Sequence, residues 1–235
     1  VAIEDPGKIV GQSTYGAHAT DITANQLATP RGAISVGVAG GELGNLTIEG
    51  MYQQAEMSAT KCQLALTNRT NAYGGTDAEK RNYGTSGSSP DCMVDSWGAN
   101  GTLVSNVQGL GVVVSGFYGE GIGTFFNLDR DSIDGTGDER VTWGGYAQAT
   151  MDLGGGTNVG VSYGGNYYGK QTQYDSRNHS SHVTIKSREL ISAMVWHNIN
   201  DNLRLVAEYG RVDDEWNDGK GRESDAVSVG GFFFW

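Results

Sequence analysis

The chain has 235 residues, with 16 Lys or Arg against 27 Asp or Glu and a formal charge of −11. No cationic surface exists to displace counterions from phosphate, which excludes a general nucleic-acid binder. No apolar run approaches the ~20 residues that a membrane-spanning helix needs, and 37 Gly without a three-residue period exclude collagen.

About ten segments alternate apolar and polar residues with period two. They lie roughly at 8–19, 31–39, 44–56, 93–105, 110–120, 140–152, 157–168, 186–198, 203–212 and 223–235. Side chains of a strand point alternately to opposite faces, so each segment reads as a two-faced strand. In 141–153, Val141, Trp143, Ala147, Ala149, Met151 and Leu153 share one face, and Tyr146, Gln148, Thr150 and Asp152 the other. In 203–209, Leu203, Leu205, Ala207 and Tyr209 oppose Arg204, Val206 and Glu208. Segment 186–198 reads both ways: either Ile191, Ala193 and Val195 join the apolar face, or Leu190, Met194 and Trp196 do. Its parity therefore leaves open whether Arg188 or Glu189 is on the wet side. No stretch shows helical periodicity, and Pro6, Pro30 and Pro90 all fall outside the segments, as strand chemistry requires.

The connections alternate in length. Short Gly/Asn turns close four hairpins, and long polar stretches at 57–92, 121–139, 169–185 and 213–222 come between them. Tight turns on one rim and long loops on the other are the rhythm of an outer-membrane barrel. With the short turns periplasmic, Tyr52, Trp97, Tyr118, Trp143, Tyr167 and Tyr209 fall near the external strand ends. Phe233, Trp235 and Trp196 then fall near the periplasmic ends, giving two aromatic girdles. The expected fold is all-β: one antiparallel transmembrane β-barrel domain over 1–235. The apolar stripe, rich in Gly, Ala and Val, suits a wall against lipid better than a packed core. Glu49, Gln148, Arg204 and Glu208 on the opposite face are expected to line the lumen and set its field. The alternative for Arg204 and Glu208 is an ion pair filling the interior of a small closed barrel.

Cys62 and Cys92 flank a polar loop. They are expected to form a disulfide worth about 3–4 kcal/mol by loop closure, which implies an oxidising compartment. The other reading is two buried thiols. His179 and His182 are three apart on a loop and lack an evident third ligand. The acidic stretch 129–139 offers loose Ca²⁺ binding at most, since Ile133 stands where an EF-hand needs an oxygen. Asp213, Asp214, Glu215 and Asp218 read as a solvated loop. No Ser-containing elbow or His–carboxylate pair stands out, so neither an enzyme nor a cofactor is expected. Val1 follows no charged and apolar leader, so the chain reads as mature or as a fragment.

The runs GGYAQATMDLGGGTNVGVSYG (144–164), ELISAMVWHNINDNLRLVAEYGR (189–211) and SDAVSVGGFFFW (224–235) resemble the trimeric porins of Gram-negative outer membranes. GNLTIEGMYQ (44–53) and GLGVVVSGFYGEGIGT (109–124) look like porin hairpins. The resemblance implies a homotrimer in the outer membrane, in contact with the lipid bilayer and lipopolysaccharide, passing small hydrophilic solutes and ions. It also implies that the terminal aromatic is a signal for barrel assembly. Porins have sixteen strands, and at about ten residues each these would leave too little chain for the loops here. The sequence therefore matches the last ten strands of such a barrel or a shortened relative. The family's constriction loop has no counterpart that can be placed; 57–92 reads as an external loop. The alternative function is a non-conducting outer-membrane barrel whose long loops serve a structural, adhesive or receptor role.

Overall fold

A computed structural model describes residues 2–4, 31–39, 44–56, 62–68, 93–122, 133–169, 173–178 and 185–235. Ten strands form one sheet in strict sequence order, every pair antiparallel. They are β1 (Ala2–Glu4), β2 (Arg31–Ala39), β3 (Asn45–Glu56), β4 (Met93–Val107), β5 (Leu110–Glu120), β6 (Val141–Gly154), β7 (Thr157–Tyr168), β8 (Ile185–Asn200), β9 (Leu203–Trp216) and β10 (Gly221–Phe233). β1 and β10 stand at the two edges. The segment 8–19 lies outside the described residues. The strand that precedes β2 in the sheet is Ala2–Glu4, which the alternation did not mark.

The tight turns follow from local chemistry. Gln108 and Gly109 have φ of 53° and 85°, the two left-handed residues that a two-residue hairpin needs. Gly155 and Gly156 do the same at 61° and 79°. At the β8–β9 turn, the Asn200 Oδ1 accepts from the backbone N–H groups of Asn202 and Leu203 at 2.9 and 3.0 Å.

Two expectations about the connections are corrected. Short helices, α1 (62–68) and α2 (Gln173–Asn178), occupy parts of the long connections that showed no helical period. Six or seven residues are too few to display one. The 213–222 connection shrinks to a four-residue turn at 217–220, because β9 and β10 run on past the expected ends. Asp213, Asp214 and Glu215 are strand residues, and opposite charges hold them there. Arg188 pairs with Asp214 at 2.6 Å, Lys186 with Glu215 at 2.7 Å and Arg211 with Asp213 at 3.7 Å.

Burial is inverted relative to a water-soluble sandwich. One face of the sheet leaves Val36 56%, Val161 58% and Val229 82% exposed, with no described layer over it. Nearly all strand residues that are buried lie on the opposite face, among them Ser96, Thr142, Ser162 and Ser192. The buried apolar residues Val94, Ile122, Ile133, Tyr174 and Ile185 gather at the end away from the tight turns, where the longer connections meet the sheet.

Candidate functional site

The pairing register fixes which residues share a face, because directly opposed residues point the same way. One rung of directly opposed polar-face residues runs Glu49–Asn100–Phe117–Gly144–Asn166–Arg188–Asp214–Arg222 across β3 to β10. Glu49 accepts from the Asn100 Nδ2 at 3.2 Å, and the Ser115 hydroxyl donates to the Asn100 Oδ1 at 3.0 Å. Arg188 donates through Nε and Nη2 to the two carboxylate oxygens of Asp214 at 2.6 and 2.9 Å. Such a two-pronged bond fixes both side chains against the wall. Nearer the tight turns, Gln148 accepts from the Tyr146 hydroxyl, and the Ser162 and Ser192 hydroxyls meet at 2.7 Å.

Glu49, Gln148, Arg204 and Glu208 therefore all lie on the polar face, but they do not converge on one point. Arg204 and Glu208 are four residues apart on one strand, roughly 13 Å, and make no ion pair. The Arg204 Nε donates to the Asn198 Oδ1 at 2.7 Å, and its guanidinium sits 5.7 Å from the Phe234 ring centre. Sequence parity missed Arg188, Asn166 and Arg222 as polar-face residues. The register resolves the ambiguity of β8: Ile191, Ala193 and Val195 join the apolar face, and Leu190, Met194 and Trp196 the polar one. Trp196 is thus not part of a girdle, a correction to the sequence expectation.

Among the described residues, the charged side chains of the apolar face, Asp95, Glu120, Glu189, Arg211, Asp213 and Asp225 among them, stand toward the end opposite the tight turns, and none stands between them and those turns. Ile48, Leu103, Val114, Ala147, Val161, Ala193 and Val229 belong to this face. Toward the end opposite the tight turns stand Tyr52, Trp97, Tyr118, Trp143 and Tyr167, with Tyr209 nearby. Trp143 stacks on Tyr167 at 4.4 Å, and Trp97 and Tyr118 are 5.7 Å apart. The polar tips of four of these rings donate to carboxylates: Tyr52 to Asp95 (2.7 Å), Trp97 to Glu120 (3.1 Å), Tyr167 to Glu189 (2.9 Å) and Tyr209 to Asp225 (2.6 Å). Tyr167 folds over Gly165, where a Cβ would meet its ring. A ring with a greasy body and a hydrogen-bonded tip is suited to the boundary between acyl chains and headgroups.

At that same end the connections are clamped together. The Arg140 Nε and Nη2 donate to Asp175 at 2.6 and 2.7 Å, and its Nη1 donates to the Ile133 carbonyl at 2.8 Å. Both partners of this ion pair are almost wholly buried. The Asn68 side chain of α1 donates to the Gly135 carbonyl at 2.8 Å. Asp134 caps its own turn by accepting from the Thr136 N–H and hydroxyl and the Asp138 N–H. Glu139 accepts from the Asp95 N–H, and burial pushes its carboxyl above the ordinary range. Asp129 and Asp131 of the acidic stretch, and His179 and His182, lie outside the described residues. No group of three metal-ligating side chains occurs among the described ones. Cys62, at the start of α1, is buried and is not a free thiol; Cys92 lies outside the described residues.

No protein-family pattern and no curated protein matches the sequence. Among solved structures, the outer membrane channel DcaP of Acinetobacter baumannii superposes with a TM-score of 0.68 at 13% identity, over 89% of this chain and 53% of that one. OmpT, an outer membrane protein of Vibrio cholerae, matches with a TM-score of 0.39 at 15% identity, over 89% of this chain and 75% of that one. The chain thus spans about half the length of DcaP. With an apolar belt on one face, a polar reverse face and sequential antiparallel pairing, the chain has the fold of an outer-membrane β-barrel.

Proposed function

We propose that this chain forms the wall of a passive porin in the outer membrane of a Gram-negative bacterium. Small hydrophilic solutes and ions would cross along its polar face, down their gradients. The carrying observation is the polar rung from Glu49 to Arg222, backed across the sheet by an apolar belt whose charges stand only toward the end opposite the tight turns. Rows of hydroxyls, amides and paired charges are wasted on a wall that never meets water, because each must be satisfied there. The similarity of fold to DcaP, an outer membrane channel, supports the same reading. No covalent chemistry is assigned to any residue.

The test is conductance in planar bilayers. Stepwise openings whose size scales with salt concentration support the porin. Silence at high protein input, with the protein demonstrably folded, favours the second reading, a non-conducting barrel that works through its outer loops. The Arg140–Asp175 clamp favours that alternative, since it builds a rigid surface beyond the aromatic girdle. Three further features belong to the proposal. Assembly as a homotrimer rests on the sequence resemblance and is checked by the mass of the unheated detergent complex. Contact with lipopolysaccharide would lie at the aromatic–carboxylate girdle. A Cys62–Cys92 disulfide is checked by peptide mapping without reductant.

A further inference from the structure

An indole on the wet side of the sheet calls for a reason. Trp196 faces away from the apolar belt, and it opposes Val206 on β9. The next residue along that rung is Gly230 on β10, and nothing lies within 4 Å of where its Cβ would be. Indole, isopropyl group and vacant glycine make a shallow apolar recess between the rungs of Arg204 and Glu208. Charges of opposite sign bound it along β9. Toward the outer loops is Glu208, exposed and without an ion-pair partner among the described residues. Toward the tight turns is Arg204, held by the neutral Asn198 side chain and stacked on Phe234, and no carboxylate among the described residues pairs with it. At roughly 13 Å the two do not neutralise each other.

We propose that this step is a subsite for short apolar zwitterions, above all apolar tripeptides; the inference rests on the porin reading. An extended tripeptide spans about 10 Å at 3.3–3.6 Å per residue. Its ammonium meets Glu208, its carboxylate meets Arg204 and its middle side chain enters the recess beside Trp196. The exposed Glu208 side chain covers the remaining distance. A neutral sugar carries no charge to pair with either group. A single amino acid is too short to reach both.

The test is current blockade in single-channel recordings of the native protein, with Ala-Leu-Ala, its N-acetylated amide and triglycine as probes. Ala-Leu-Ala is expected to block at about tenfold lower concentration than either of the others. Arg204→Gln, Glu208→Gln and Trp196→Ala are each expected to weaken its blockade about tenfold, measured against the open-channel current of the same variant. Equal blockade by the three peptides overturns the subsite, and this comparison needs no variant to fold. Unchanged blockade in conducting variants overturns it too. Absence of any conductance overturns the porin reading itself, and the subsite with it.

Discussion

Arg140 places three guanidinium nitrogens on two separate connections, so a single side chain ties the β5–β6 connection to α2. Removing one partner of a buried pair strands the other charge, at a cost of about 3–5 kcal/mol. Arg140→Met should therefore expose the β5–β6 and β7–β8 connections to protease in the folded barrel while the strands stay protected. An unchanged cleavage pattern would show that the clamp does not hold them. Glu139 makes a pH-dependent prediction. Burial raises its carboxyl above the ordinary 4.5, so folding favours the protonated form. Its stabilising contribution is full below the ordinary value and is lost as pH rises through the raised one. Glu139→Gln keeps an acceptor for the Asp95 N–H and removes the ionisation. The variant should melt higher than wild type at pH 7 and about equally at pH 4. A difference independent of pH would refute the burial argument.

Within one strand, neighbouring residues meet opposite solvents. Val161 on β7 stands on the apolar face opposite Ala149 and Ala193, whereas Gln148 on β6 faces the polar side opposite Ser162. Arginine at the middle of a lipid-facing belt costs about 2–4 kcal/mol, and lumen positions tolerate charge. Val161→Arg should lower stability by that amount in denaturant titration of the detergent-folded protein. Gln148→Arg should stay within about 1 kcal/mol and change the current instead. Equal destabilisation of both would mean that the two faces do not see different media. Strand alternation was easy to see where polar and apolar residues separate cleanly, as in β6, β7 and β9. It failed in β8, because Leu190, Met194 and Trp196 put greasy residues at polar-face positions. Nothing local distinguishes an apolar residue that meets lipid from one that lines a wet wall.

For the whole molecule, the wall's fixed charges should bias the ions that pass. Glu49 has only the neutral Asn100 amide against it among the interactions described, so its field is not offset locally. In a salt gradient across a planar bilayer, Glu49→Lys should move the reversal potential toward anion preference. An unmoved potential would place Glu49 away from the ion path.

The sequence alone determined the strands β2 to β10, the tight turns, the two-faced character of the sheet and the polar-face placement of Glu49, Gln148, Arg204 and Glu208. All of these follow from a period of two and from the turn preferences of Gly and Asn, which act within a few residues. Tertiary structure alone decided the facing of β8, the Arg188–Asp214 pair, the extension of β9 and β10 through the acidic run, and the Arg140–Asp175 clamp. The facing of β8 and the two ion pairs join residues tens of positions apart, and the extension rests on the Arg188–Asp214 pair, so the energy that selects them exists only after neighbouring strands have set their register.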